Sequence, residues 1–195
     1  MVPDLKIGER NVTQLLTERL QKQQSGWVIL LELSPAARFA VNAEAVRLLT
    51  GKFGYEGIYV SLNNHYSKLA KSFDERKIDT KKIYFIDANS GSGKNAPRCV
   101  FVRSPSSLTE ISIAVNNAIA ALKVKKRFLI IDSLSDLAMF NPVQSVEKFM
   151  HSIAGKIRNY ELTGVIVLYG ARDLDPHLMT MMNQLHDEAI RISKL

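Results

Sequence analysis

Cysteine is nearly absent. The 195 residues contain one, Cys99, which excludes a disulfide within the chain and any cysteine-built metal motif, and suits a reducing compartment. Long hydrophobic runs are missing too. The longest apolar stretches, WVILLEL at 27–33 and GVIVLYG at 164–170, have the length of strands, far below the ~20 residues a membrane helix needs. The opening MVPDLKIGERN has neither an apolar h-region nor a cleavage site, so no secretory signal, no membrane insertion and a cytoplasmic location are expected. The four histidines show no metal-ligand spacing with Cys99 or with one another, and no metal is expected. Acidic charge is in deficit: 26 Lys and Arg stand against 19 Asp and Glu, a formal net charge of +7. Such an excess favours polyanionic partners but serves solubility equally well. The basic residues are scattered apart from one cluster, Lys123, Lys125, Lys126 and Arg127, between a helix and a strand.

What is present is a series of short apolar runs: VILLEL at 28–33, GIYVSL at 57–62, KIYFID at 82–87, RCVFV at 98–102, RFLIID at 127–132 and GVIVLYG at 164–170. They are nearly continuous rather than alternating, the pattern of strands covered on both faces in a parallel sheet. Helical patterns lie between them at 36–53, 65–77, 106–122, 142–160 and 176–186, with apolar residues on one stripe. Ser106 or Ser107 is placed to cap the third of these beside Glu110, and Asn141-Pro142 opens the fourth. EAIRIS at 188–193 reads as a closing strand, and an amphipathic segment at 11–24 as cover for one edge of the sheet. Strand–helix alternation of this kind predicts one doubly wound α/β domain over 1–195, with a mainly parallel sheet, helices on both faces and a helical extension over about residues 1–25.

In such a fold ligands bind beyond the carboxyl ends of the strands. Asp132 ends the run FLIID. An acid there either holds the magnesium of a nucleotide or caps the segment that begins at Ser133. The string FLIIDSLSDL at 128–137, followed by a helix and GVIVLYG, resembles the RecA superfamily, in particular its KaiC-like archaeal and bacterial branch. YVSLNNHYSKLAKSF at 59–73 with IDTKKIYFID at 78–87, and RSPSSLTEISIAV at 103–115, resemble the same branch. The resemblance extends over about residues 26–193 and implies a RecA-like sheet with a nucleotide site formed by the loop after the first core strand, the end of the second, and Asp132.

The departures from the family's pattern decide the functional expectation. A glycine-rich loop with a lysine and a hydroxyl residue normally wraps the phosphates and ligates magnesium. Here VILLEL runs into Ser34-Pro35-Ala36-Ala37-Arg38-Phe39-Ala40-Val41-Asn42, without glycine or lysine. Pro35 lacks an N–H, Phe39 adds bulk, and Arg38 can attract an anion only without that cradle. The family's pair of glutamates after the second strand is replaced by Asn63-Asn64. An amide can orient a water but cannot accept its proton, and Asn64 is also a natural cap for the helix near His65. The resemblance thus implies a degenerate Walker A loop, missing catalytic glutamates, and a vestigial nucleotide site at Ser34, Arg38, Asn42, Asn63, Asn64 and Asp132. No cofactor is expected.

Four other features carry less. Asn89-Ser-Gly-Ser-Gly-Lys94-Asn95 looks like a P-loop, but Ala88 stands at its first glycine, Asn95 at its hydroxyl, and no helix follows. A surface loop is expected. Ser133 and Ser135 have no histidine at a hydrolase spacing. Met179, Met181 and Met182 read as core packing or as an adaptable apolar interface. Arg172-Asp173 reads as surface ion pairing. The expectation is a non-enzymatic, binding, scaffolding or regulatory domain, through a protein partner or self-association. One alternative is a nucleic-acid binder with a basic face. A second is an ATP-binding protein or ATPase using Arg38, Lys52 or Lys94 in place of the missing lysine.

Overall fold

The computed structural model describes residues 5–6, 9–89 and 96–194, so the loop motif beyond Asn89 lies outside the described residues. The strands are β1 (Leu5–Lys6), β2 (Val28–Leu33), β3 (Glu56–Ser61), β4 (Ile83–Asp87), β5 (Cys99–Phe101), β6 (Arg127–Asp132), β7 (Thr163–Tyr169) and β8 (Glu188–Lys194). They form one eight-stranded sheet in the order β1-β8-β2-β7-β6-β3-β4-β5. The sheet goes further than "mainly" parallel: every pairing between these strands is parallel.

The near-continuous apolar runs have a direct physical reading. Successive strand residues point to opposite faces, and both faces are covered. Val28 and Leu30 face one layer and Ile29, Leu31 and Leu33 the other, and β6 divides in the same way into Leu129 and Ile131 against Phe128 and Ile130. The helices α4 (Leu108–Ala121), α5 (Leu134–Phe140), α6 (Val143–Asn159) and α7 (Pro176–Leu185) supply the first layer. The second comes from α1 (Glu9–Gln21), α2 (Arg38–Arg47) and α3 (Tyr66–Glu75). Gly57 permits a close approach within the sheet, since a Cβ there would meet the Phe128 ring and carbonyl oxygen at 2.4 Å. Among the described residues no helix is long and apolar enough to cross a membrane.

Several local expectations are corrected. Helix α1 lies on a face of the sheet rather than along an edge. Val12, Leu16 and Leu20 sink into the core, while Thr13 donates to Glu44 (2.7 Å) and Arg19 pairs with Glu188 (2.5 Å). The helix expected over 36–53 ends as an α-helix at Arg47 and continues as a π-turn over Leu48–Lys52, closed by Phe53 N–H donating to the Leu48 carbonyl at 2.9 Å. Ser107 occupies the cap position of α4 without a side-chain capping bond, and Glu110 is held by Arg103 instead. Helix α5 was not anticipated, because its seven residues are too few to show a helical period.

Parallel strands sort the sequence by strand end. Ser61 lies in register with both Asp87 and Asp132, which gathers the carboxyl ends of β3, β4 and β6 on one edge. At the opposite edge Glu56 lies beside Arg127 and Gly57 beside Ile83, which gathers their amino ends.

Candidate functional site

At the carboxyl edge the chain turns from β2 into α2 within Ser34–Ala37. The turn closes on itself: the N–H groups of Ala37 and Arg38 both donate to the Ser34 carbonyl at 3.1 Å, and Ser34 N–H donates to the Ile192 carbonyl at 3.0 Å. Pro35 has no N–H to offer. Ser34, Ala37 and Arg38 thus spend their N–H groups within the fold.

Arg38, the first residue of α2, reaches to the end of β6. Its Nε and Nη2 donate to Asp132 Oδ1 at 3.2 and 3.0 Å, and Nη2 also donates to Asp136 Oδ2 at 2.8 Å. The guanidinium lies 4.3 Å from the centre of the Tyr169 ring, close enough for a cation–π contact. Each carboxylate is completed from other elements. Tyr59 Oη donates to Asp132 Oδ2 at 2.5 Å, and Asn42 Nδ2 donates to Tyr59 Oη at 2.7 Å. Asp136 Oδ1 accepts from Asn63 Nδ2 at 3.1 Å and from the Tyr169 hydroxyl, while its Oδ2 accepts from Ser133 Oγ at 2.8 Å. Residues from α2, β3, the β3–α3 turn, the β6–α5 segment and β7 thus meet around one cation.

The two acids are almost dry, while Arg38 is half-buried and Asn63 exposed. Asp132 is 2% exposed and Asp136 1%, and the Arg38 side chain 15%. Burial pushes the Asp132 carboxyl above its ordinary range, and the opposing pull of Arg38 and the Tyr59 hydroxyl does not fully offset it. Burial disfavours the Arg38 charge, but the nearby Asp132 and Asp136 outweigh it and hold the guanidinium above its ordinary value. The Tyr59 phenol lies well above its usual pKa, first through burial and then through the adjacent Asp132. Tyr169 is raised by burial and by its hydrogen bond to Asp136. A buried acid pair with a cation between its members is a structural ion-pair network, in which the carboxylates are satisfied by neighbouring side chains and the buried Asn42 Oδ1 has no partner.

Of the six expected site residues, Arg38, Asn42, Asn63 and Asp132 belong to this cluster. Ser34 is the hinge of the adjoining turn, and Asn64 contributes backbone only, its N–H and carbonyl both bonded to Ser61 Oγ. Asp132 does not cap α5. Ser133 does, its Oγ accepting from Asp136 N–H at 3.2 Å. Asn64 does not cap α3 either: His65 holds that position, and Tyr66 N–H donates to Asp87 Oδ2 at 2.7 Å.

Four members escaped the sequence reading: Tyr59, Ser133, Asp136 and Tyr169. Ser133-Leu-Ser-Asp136 carries a usable signal, a hydroxyl residue three before an acid at a helix start. The tyrosines carry none, since each sits in an apolar strand. Ser135 is tied to β7, its Oγ donating to the Tyr169 carbonyl at 2.6 Å. Met181 and Met182 are buried and Met179 partly so, which is core packing. Arg172 and Asp173 form an exposed turn after β7.

Lys52, considered as a substitute for the missing lysine, stands before the amino end of β3. That is a strand length of about 20 Å from the carboxyl edge, and it is removed from the site on that ground. Lys94 lies outside the described residues. A cleft of about 470 Å³ opens beside Arg38, with Phe39, Asn63, Asn64, Lys68 and Arg76 on its walls. Among the described residues no group of three or more His, Cys, Asp or Glu is arranged to hold a metal.

No curated protein matches the chain. Among solved structures it is similar to the KaiC-like protein PH0186 from the hyperthermophilic archaeon Pyrococcus horikoshii OT3. The TM-score is 0.64 at 13% identity, over 87% of this chain and 72% of that one. At that identity the likeness establishes the fold alone, a RecA/KaiC-like α/β sheet layered by helices. Residues 33–192 match the model of a family described as one of unknown function, DUF7504, and the chain belongs to that family.

Proposed function

We propose that this chain is a non-catalytic RecA/KaiC-like domain of the cytoplasm that acts by association, scaffolding or regulating a protein partner or a second copy of itself. The observation that carries the reading is Arg38. In the resemblance Asp132 is the acid that would hold magnesium, yet here a buried guanidinium already satisfies it together with Asp136. A metal ion would have to displace that cation from two buried carboxylates that it already neutralises. The Ser34–Ala37 turn adds to this, because the N–H groups of Ser34 and Ala37 are spent within the fold, Pro35 has none, and no glycine opens it. Asn63, where a catalytic glutamate would stand, spends its amide on Asp136 and cannot accept a proton.

Association is favoured by a pair of large apolar side chains that the core does not use. Met139 and Phe140, adjacent at the end of α5, are 74% and 52% exposed. Met139 borders a groove of about 430 Å³ walled by Ala138, Val143, Leu174 and Leu178. Exposed apolar side chains beside an apolar groove are the material from which association surfaces are built.

Titration of magnesium-ATP into the protein by calorimetry tests the reading. No heat and no thermal stabilisation up to millimolar nucleotide is the expected result. Micromolar binding overturns it, and Asp132→Ala and Arg38→Ala would then locate the phosphates.

A further inference from the structure

We infer that the amino edge of the sheet, across β6, β3, β4 and β5, binds the phosphate backbone of single-stranded nucleic acid. The inference uses no residue of the carboxyl-edge cluster and stands or falls separately from the proposed function.

The basic residues look scattered along the chain, but the strand order brings many of them together. Lys123, Lys125, Lys126 and Arg127 lead into β6, whose first residue pairs in register with Glu56 at the start of β3. Lys52 lies just before β3, and Lys81 and Lys82 just before β4, whose Ile83 pairs with Gly57. Arg98 precedes β5 on the far side of β4. Set against these eight cations are Glu56 and Asp79, with Asp74 against Thr80 and Glu161 beside Tyr160. Glu56 is paired with Arg98 at 3.4 Å.

Apart from Arg98, the charge is held in place without being cancelled. Lys82 Nζ donates to the Thr50 carbonyl at 2.9 Å, Lys126 Nζ to the Phe53 carbonyl at 3.3 Å and Arg127 to the Tyr160 carbonyl at 2.6 Å. These acceptors are neutral, so each bond orients a cation and leaves its charge available. Every ion pair among the described residues uses an arginine and none a lysine.

Aromatic rings are interleaved with this charge, as the linear sequence does not reveal. Lys126 lies 5.8 Å from the Tyr55 ring centre and Lys52 6.0 Å from that of Phe53, both rings half-buried with one side packed on the core. Tyr160, next to Arg127, is 47% exposed. Cations that track phosphates beside rings on which bases stack are the means by which proteins hold single strands without reading sequence. A duplex, its bases already stacked, has no use for the rings.

The size of the edge sets the expected affinity behaviour. Four strands about 4.8 Å apart span about 14 Å, room for about three phosphates of a single strand, which lie further apart along the chain than the ~3.4 Å rise of a duplex. Three contacts give a slope of about −2 in log affinity against log salt, so binding weakens about 20-fold between 50 and 200 mM salt.

The test is fluorescence anisotropy of the full chain with a labelled mixed-sequence single strand of twenty nucleotides, and with the same sequence as a duplex. Lys125→Glu with Lys126→Glu is compared with Lys71→Glu with Lys148→Glu, the same charge change at exposed positions on α3 and α6. Thermal melts check that both pairs fold. The expected result is single-strand binding with the slope above, lost at least tenfold in the first pair and kept within twofold in the second. Absence of binding at 50 mM salt overturns the inference, as does equal loss in both pairs, which would make net charge the cause. A duplex bound as tightly as the single strand overturns the assignment to single strands.

Discussion

The two edges of this sheet are built from the same kinds of residue and handle charge in opposite ways. At the carboxyl edge Asp132, Asp136 and Arg38 are buried, mutually paired and completed by Tyr59, Tyr169, Asn63 and Ser133. At the amino edge Lys52, Lys123, Lys125 and Lys126 are exposed, and where a partner is resolved for Lys126 it is a neutral carbonyl. Desolvation explains the contrast. A charge removed from water must find an opposite charge and hydrogen bonds, whereas a charge left in water needs neither and stays available to another molecule. The edge where open α/β sheets bind ligands is here closed by its own ion pairs, and the opposite edge holds the solvated charge.

The largest effect should come from removing the central cation. Arg38→Met keeps much of the side-chain volume but leaves Asp132 and Asp136 facing each other in a dry site, which costs about 3–5 kcal/mol. Denaturant unfolding at pH 7 measures it, and a loss under about 1 kcal/mol would mean that the cluster does not hold this edge closed. The penalty also has a pH sign. Asp132 already lies above its unfolded value, and without Arg38 it rises further. Its protonated form therefore favours folding, and the variant should lose stability as pH rises through the folded pKa and regain it as pH falls. The gap between variant and wild type narrows from pH 7 towards pH 5.

A smaller loss, about 2 kcal/mol, is expected for Tyr59→Phe, which deletes the hydrogen bond to a charged acceptor while keeping the ring. Tyr59 is raised well above its unfolded value, so its contribution is fully present below about pH 10. Above that the unfolded tyrosine ionises while the folded one does not, and the contribution fades as pH climbs through the folded pKa. Stability of wild type and variant between pH 8 and 11 should converge. Parallel curves would mean that the phenol is not protected as the buried geometry requires.

The smallest stability effect belongs to the amino edge. Lys125→Glu with Lys126→Glu should shift unfolding by less than about 0.5 kcal/mol, as expected for solvated positions without charged partners. A loss above about 1 kcal/mol would show that these lysines hold the fold, and would erase the contrast between the edges.

Much of the architecture was legible from the chain. Runs such as FLIID and GVIVLYG are apolar at every position because both faces of the sheet are covered, so parallel strands could be read without a structure. The site was legible in outline: Arg38 was singled out by the missing lysine and Asp132 by its place at a strand end. What escaped was their pairing, 94 residues apart, and the tyrosines that complete it. A tyrosine within an apolar strand looks like core until its hydroxyl is seen to meet a carboxylate.

The amino-acid sequence by itself determined the sheet, the two helical layers and the lack of glycine and lysine over residues 34–42, because these depend on residue type over a short window. Only the tertiary structure decided which charges are cancelled and which remain. The strand order sets Lys52, Lys82 and Lys126 side by side and carries Arg38 to Asp132. Electrostatic and hydrogen-bonding energies depend on distance in space and on burial, and spacing along the chain fixes neither.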